Sequence, residues 1–127
     1  MAKILIADDD EEQRLWFRQI LASYDCQVFE AASGWDAVEL AILEKPDLIF
    51  LDYRMPQVNG WDAIRVLRMK EELRSIPVVM ITAKHFDSSS QDTIRSEIDG
   101  FIEKPLSKDK ILETIKEACG GLNPKDL

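Results

Sequence analysis

Four strand-like segments each run into a group that can do chemistry. Ile4–Ala7 leads into Asp8-Asp9-Asp10, Leu48–Leu51 into Asp52, Val78–Ile81 into Thr82, and Gly100–Glu103 into Lys104-Pro105. Taken singly, each has an ordinary account: Asp9 or Asp10 could cap a helix, Asp52 could begin a turn, and Lys104 could be a solvated charge. Gathered into one small volume they are costly, because like charges held close oppose each other's ionisation. Metal-assisted phosphoryl transfer explains them together. Mg²⁺ prefers octahedral oxygen coordination and takes one or two carboxylates, waters and a phosphate oxygen. Asp9, with Asp8 beside it or bridging through water, can supply the carboxylates, with Mn²⁺ a substitute ion. Asp52 can be both ligand and nucleophile, since a carboxylate can form an acyl phosphate. Lys104 and the Thr82 hydroxyl would each contact a phosphoryl oxygen.

These groups converge only if the segments before them are neighbouring strands. Lys3–Ala7, Gln27–Ala31, Leu48–Leu51, Val78–Thr82 and Gly100–Glu103 read as strands, several of them apolar on both faces, as strands of a buried parallel sheet must be. Five helical patterns alternate with them. Glu11–Ser23 carries Trp16 with Ile20 and Phe17 with Leu21 at i,i+4 spacing. Trp35–Glu44 follows a Ser33 cap and Gly34. Trp61–Leu73 follows Asn59-Gly60, Ser90–Glu97 is short, and Ile111–Cys119 follows a Ser107 cap with one apolar face. Strand–helix alternation of this kind predicts right-handed βαβ units. The fold class is α/β, a flavodoxin-like (βα)5 three-layer sandwich with a five-stranded parallel sheet in the order 2-1-3-4-5. In such sheets ligands bind beyond the carboxyl ends of the strands, near the switch point. The domain is expected to span residues 1–120, with residues 121–127 a fraying polar tail or the start of a linker.

Composition narrows the function classes. The chain has 127 residues, 46% apolar and 31% charged, with a net charge of −8, ordinary values for one globular domain except for the acidity. That surface repels nucleic-acid phosphates and anionic membranes, so neither is expected as a partner. The basic cluster Arg65, Arg68, Lys70 and Arg74 is interleaved with Glu71 and Glu72 and reads as a solvated helix face. No apolar run reaches the ~20 residues of a membrane span, and the first apolar run is too short for a signal-peptide core. A cytoplasmic location is expected. Cys26 and Cys119 read as reduced thiols acting as small hydrophobes. The single histidine, His85, leaves chemistry that needs two histidines or a Cys–His pair poorly supported.

The four motifs together resemble the receiver domain of two-component response regulators, of the chemotaxis-regulator-like kind, over nearly the whole chain. Asp8-Asp9 resembles that family's metal-binding pair. Asp52-Tyr53-Arg54-Met55-Pro56-Gln57-Val58-Asn59-Gly60 resembles its phosphoacceptor segment, with Met-Pro at the third and fourth positions after the aspartate and Gly at the eighth. Thr82-Ala83 resembles the switch hydroxyl and its small neighbour, and Lys104-Pro105 the Lys-Pro pair whose peptide bond is usually cis. The separations agree: Asp52 lies 43 residues after Asp9, Thr82 30 after Asp52, and Lys104 22 after Thr82. The resemblance implies a phosphorylation-dependent switch, not an enzyme acting on other molecules. A sensor histidine kinase, a histidine phosphotransfer protein or a small phosphodonor would phosphorylate Asp52. The Arg54 backbone carbonyl would complete the Mg²⁺ site. Phe101 would match the switch aromatic; lacking a hydroxyl, it would move by burial alone. Thr82 and Lys104 would be drawn to the phosphate, and the surface of the fourth helix, fifth strand and fifth helix would be remodelled. The chain ends soon after Lys104, so it acts either through a separate downstream target or as one module with an output domain elsewhere. Departures from the pattern are Asp10 in place of the usual Glu, the polar, Ser-rich stretch Lys84–Asp99, and Glu97-Ile98-Asp99-Gly100 in place of a Gly-Ala turn. Arg54 and Lys84 flank the acceptor and Thr82, at positions that tune phosphate lifetime in the family.

Three rivals remain at this level. Asp8-Asp9-Asp10 after an apolar strand also reads as the nucleophile loop of a small haloacid-dehalogenase-type phosphatase, with Asp8 as nucleophile. That reading leaves the Asp52 segment unexplained. A flavodoxin would need a hydroxyl- or Gly-rich phosphate loop after the first strand, where this chain has three aspartates. A degenerate receiver that only binds partners is opposed by the intact acidic pair, acceptor, threonine and lysine.

Overall fold

Alternation along the strands sends successive side chains to opposite faces of a sheet, and here both faces are apolar. A computed structural model describes residues 1–55, 59–82 and 97–125. Five strands, β1 (Ala2–Ala7), β2 (Cys26–Ala31), β3 (Leu48–Asp52), β4 (Val78–Thr82) and β5 (Gly100–Glu103), form one sheet. They pair in parallel in the order β2-β1-β3-β4-β5. Leu5, Ala7, Ile49, Leu51, Val78 and Met80 face one layer, packed with α2 (Gly34–Glu44) and α3 (Gly60–Met69). Their alternates Ile4, Ile6, Leu48, Phe50, Val79 and Ile81 pack with Phe17 and Leu21 of α1 (Glu11–Leu21) and with Ile111 and Ile115 of α4 (Lys108–Cys119). The result is the three-layer flavodoxin-like sandwich that the strand–helix alternation predicts. Among the described residues no helix is long and apolar enough to cross a membrane. Cys26 and Cys119 are free, half-buried thiols packed at the margin of the α1–α4 layer. Burial pushes both thiols above their usual range.

Ser33, Ser107 and, of the two candidates before α1, Asp10 cap their helices as expected, and Asn59 is a further cap. Asp10 accepts from the Glu12 amide, Ser33 from Asp36, Asn59 from Asp62 and Ser107 from Lys110, each satisfying an amide that has no partner within its helix. One expectation is corrected. The pattern Trp61–Leu73 is not one helix: α3 stops at Met69, Lys70 is extended, and Glu71–Leu73 forms a 3₁₀ turn. Over residues 123–125 the tail is hydrogen-bonded back to the chain between α1 and β2. The Asp25 amide donates to the Asn123 carbonyl at 2.7 Å, the Lys125 amide donates to Ser23 at 2.9 Å, and Leu122 packs on the α1–α4 layer. The predicted helix Ser90–Glu97 lies, apart from Glu97, outside the described residues, as do Pro56, Ala83 and Lys84.

Arg68 is the second correction. Its guanidinium is not solvated. It donates to the carbonyls of Glu97, Arg74 and Ile76 at 2.8–2.9 Å and to Asp99 Oδ2 at 3.1 Å. The same Asp99 oxygen accepts from the Val78 amide at 2.8 Å. The segment that lacks a Gly-Ala turn is therefore held by a clamp joining the end of α3 to the starts of β4 and β5.

Candidate functional site

The strand order sets the carboxyl ends of β1, β3, β4 and β5 side by side, and the register fixes their heights. Ala7 pairs with Leu51, Asp52 with Ile81, and Thr82 with Glu103. Asp8 therefore stands level with Asp52, Thr82 one residue beyond, and Lys104 one beyond that. Asp8 is 0% exposed, Asp52 3% and Thr82 2%, while Asp9 is exposed. Asp8, Asp9 and Asp52 each turn one oxygen into a group whose members lie within 4.8 Å of one another.

Asp8 is held by its backbone and one of its oxygens. Its amide donates to the Ala31 carbonyl at 2.9 Å, and Oδ1 accepts from the Asp10 amide at 2.9 Å. Oδ2 is buried and has no hydrogen-bond partner. Burial pushes the Asp8 carboxyl up from 3.8 to about 7. The Asp10 amide and Lys104 oppose the rise, and the Asp52 charge adds to it. A hydrogen bond between Asp8 and Asp52 also favours the raised value, but only a protonated carboxyl can make one. With both ionised, Oδ2 stays unpartnered in a residue whose neighbour is a second carboxylate. A buried, unpaired anionic oxygen is among the costliest arrangements in a protein, and a divalent cation held by these three carboxylates relieves it. Two or three carboxylates, one of them open to water, suit Mg²⁺, and Mn²⁺ accepts the same oxygen ligands.

Asp52 is held at both oxygens. Lys104 Nζ donates to Oδ2 at 2.9 Å and the Arg54 amide to Oδ1 at 3.0 Å. Partial burial works against the Lys104 ammonium, but its hydrogen bond to Asp52 and the charges of Asp52, Asp8 and Asp9 outweigh this and hold it above its usual range. Lys104 is placed by its own amide, which donates to the Thr82 carbonyl at 2.8 Å, and is followed by a cis peptide to Pro105. The turn after Asp52 closes through the Gly60 amide on the Tyr53 carbonyl at 2.7 Å. A Cβ at Gly60 would lie 2.8 Å from both the Asp52 carbonyl oxygen and Tyr53 Cα and 2.9 Å from Met80 Sδ. The glycine eight residues after Asp52 thus lets the start of α3 press against the backbone of Asp52 itself.

Phe101 is half-buried on β5, pairs with Met80, and packs in the α2–α3 layer. Thr82 lies two residues along β4 from Met80, so Thr82 and Phe101 share a sheet face at adjacent heights. Two features had no counterpart in the sequence reading. Arg14 on α1 donates to the Asp8 carbonyl at 2.6 Å, and the Arg68–Asp99 clamp underlies β4 and β5. No local spacing links position 14 to 8, or 68 to 99.

Residues 4–116 match the family described as response regulator receiver domain. The chain is 34% identical to the protein PilH of Pseudomonas aeruginosa over 121 residues, 95% of this chain and 100% of that one. It is 32% identical to the polar-differentiation response regulator DivK of Brucella ovis, covering 92% of this chain and 95% of that one. Among solved structures, the receiver domain of a Pseudomonas aeruginosa sensor histidine kinase superposes with a TM-score of 0.85 at 23% identity, covering 94% of this chain and 98% of that one; it was crystallised with a magnesium ion coordinated in its active-site cleft. These matches lend no support to the phosphatase reading with Asp8 as nucleophile.

Proposed function

The chain belongs to the response regulator receiver family and is a phosphorylation-dependent switch of two-component signalling; from that premise we propose that Asp52 is its phosphoacceptor and that Asp8, Asp9 and Asp52 hold Mg²⁺. The observation that carries this reading is the pairing of Lys104 Nζ with Asp52 at 2.9 Å beside the unpartnered Asp8 Oδ2. One arrangement supplies a nucleophile, a counter-cation and a cation-binding oxygen.

Receiver domains of this kind interact with histidine kinases or phosphotransfer proteins and with downstream targets. In the proposed reaction an Asp52 carboxylate oxygen forms a bond to phosphorus, the phosphorus–nitrogen bond of a donor phosphohistidine breaks, and the departing imidazole keeps the electron pair and takes a proton. Mg²⁺, with the Arg54 carbonyl as a further ligand, would supply the positive charge that favours negative phosphoryl oxygens in the pocket. Lys104 exchanges its contact with Asp52 Oδ2 for a phosphoryl oxygen, and the Thr82 hydroxyl donates to another. Movement of Thr82 frees space on the sheet face it shares with Phe101, and Phe101 fills that space by burial. The output is a population shift at the surface of β5, α4 and the segment between β4 and β5. We place this switch in the cytoplasm, where it meets its phosphodonor.

The test is an intact mass after incubation with Mg²⁺ and acetyl phosphate. The expected result is a gain of one phosphoryl group, abolished by EDTA and by Asp52→Asn. Labelling of the Asp52→Asn protein at the wild-type level would remove Asp52 as the acceptor.

A further inference from the structure

Arg14 is unusually placed for a charged residue on the first turns of a surface helix. Its side chain is 16% exposed, and its guanidinium is shared between two strand ends. Nη1 donates to the Asp8 carbonyl at 2.6 Å, and Nε donates to Glu30 Oε1 on β2 at 3.2 Å. The second Glu30 oxygen takes Arg18 Nε at 3.1 Å. Glu30 is itself 27% exposed and pairs across β1–β2 with Ile6, two residues before Asp8. The Asp8 residue is thus pinned on both sides, its amide on Ala31 of β2 and its carbonyl on Arg14 of α1.

We propose that Arg14 is a positioning residue for the metal site and that Glu30 is the group that aims it. This rests on the reading of Asp8, Asp9 and Asp52 as metal ligands. Asp8 and Asp9 meet at the peptide whose carbonyl Arg14 holds, so fixing that carbonyl fixes the direction in which both carboxylates leave the chain. Without it the peptide can rotate, and the two oxygens need no longer point to one ion. A guanidinium near a cation site would by itself repel the cation. The Glu30 carboxylate offsets that charge while leaving the donor to Asp8 in place. A guanidinium suits the task because its rigid fork serves two acceptors at once; an ammonium at the end of a lysine serves them less well.

The experiment is a Mg²⁺ titration of the wild-type, Arg14→Ala, Arg14→Lys and Glu30→Ala proteins by calorimetry, with a metal-free melting curve for each. Wild-type binding tests the metal-site reading separately, and its absence would overturn that reading and the positioning role together. Groups that orient metal ligands commonly set affinity by 10–100-fold. Arg14→Ala should bind Mg²⁺ about tenfold or more weakly, Arg14→Lys should recover part of the loss, and Glu30→Ala should bind a few-fold more weakly. An Arg14→Ala protein that melts lower yet binds Mg²⁺ within about twofold of wild type would overturn the proposal, since that is the signature of a purely structural pin. If Arg14→Ala does not fold, Glu30→Ala decides: unchanged affinity there overturns the proposal.

Discussion

Replacing Asp8 by asparagine should make the metal-free protein more stable while destroying its use for Mg²⁺. Asp8 is fully buried, and burial pushes its carboxyl from 3.8 to about 7. A carboxyl raised in the folded state contributes stability that is complete below 3.8 and is lost as pH rises through about 7. Held ionised at pH 8, it costs on the order of 4 kcal/mol at most. Asparagine keeps the acceptor for the Asp10 amide and replaces the unpartnered Oδ2 with a neutral amide group. It also withdraws one of the charges that hold Lys104 in its paired state, so about half of the gain should survive. That is roughly 2 kcal/mol, or about 6–10 °C in melting temperature for a domain of this size. The assay is a pair of thermal melts in EDTA at pH 5, 6, 7 and 8. The gap between variant and wild type should be smallest at pH 5, widen towards pH 7 and level off by pH 8. Adding millimolar Mg²⁺ at pH 8 should raise the wild type and leave the variant nearly unmoved, narrowing the gap. A variant less stable than wild type at pH 8 in EDTA, or a gap independent of pH, would refute the view of Asp8 as an electrostatic liability kept for the ion.

Mg²⁺ affinity should fall as pH drops, because the ion competes with a proton for Asp8; with that carboxyl at about 7, titrations at pH 8 and pH 6 should differ by roughly tenfold. Gly60→Ala should cost about 2–4 kcal/mol in urea unfolding, since its methyl would meet the Asp52 and Tyr53 backbone at 2.8 Å; a loss under about 1 kcal/mol would mean the turn gives way easily. Arg68→Ala should cost about 2–4 kcal/mol, because three carbonyls and the Asp99 carboxylate lose their shared donor, and an unchanged urea midpoint would show the clamp to be ornamental.

The parallel sheet and the caps were readable because their causes are local. Runs such as Leu48–Leu51 carry their burial in their composition, and Ser33 and Ser107 cap through amides three residues on. The convergence of Asp8, Asp52, Thr82 and Lys104 follows once the strand order is known, because chain position at each strand end sets height in the sheet. What local pattern could not carry lies in pairs far apart in sequence. Arg68 reads as one more helix-surface charge until its partners at 97 and 99 are known. The C-terminal tail looks polar and free, yet its backbone finds Ser23 and Asp25. The division of labour between the two acidic residues was equally hidden. Sequence puts Asp9 first and Asp8 beside it, and only burial shows that Asp8 is the enclosed carboxylate and Asp9 the exposed one.

The most direct measurement is the identity of the phosphorylated residue. After Mg²⁺ and acetyl phosphate, borohydride reduction converts an aspartyl phosphate to homoserine, which peptide mass spectrometry can place in the chain. The account predicts homoserine at position 52 alone. Homoserine at position 8 or 9, with Asp52 intact, would contradict it.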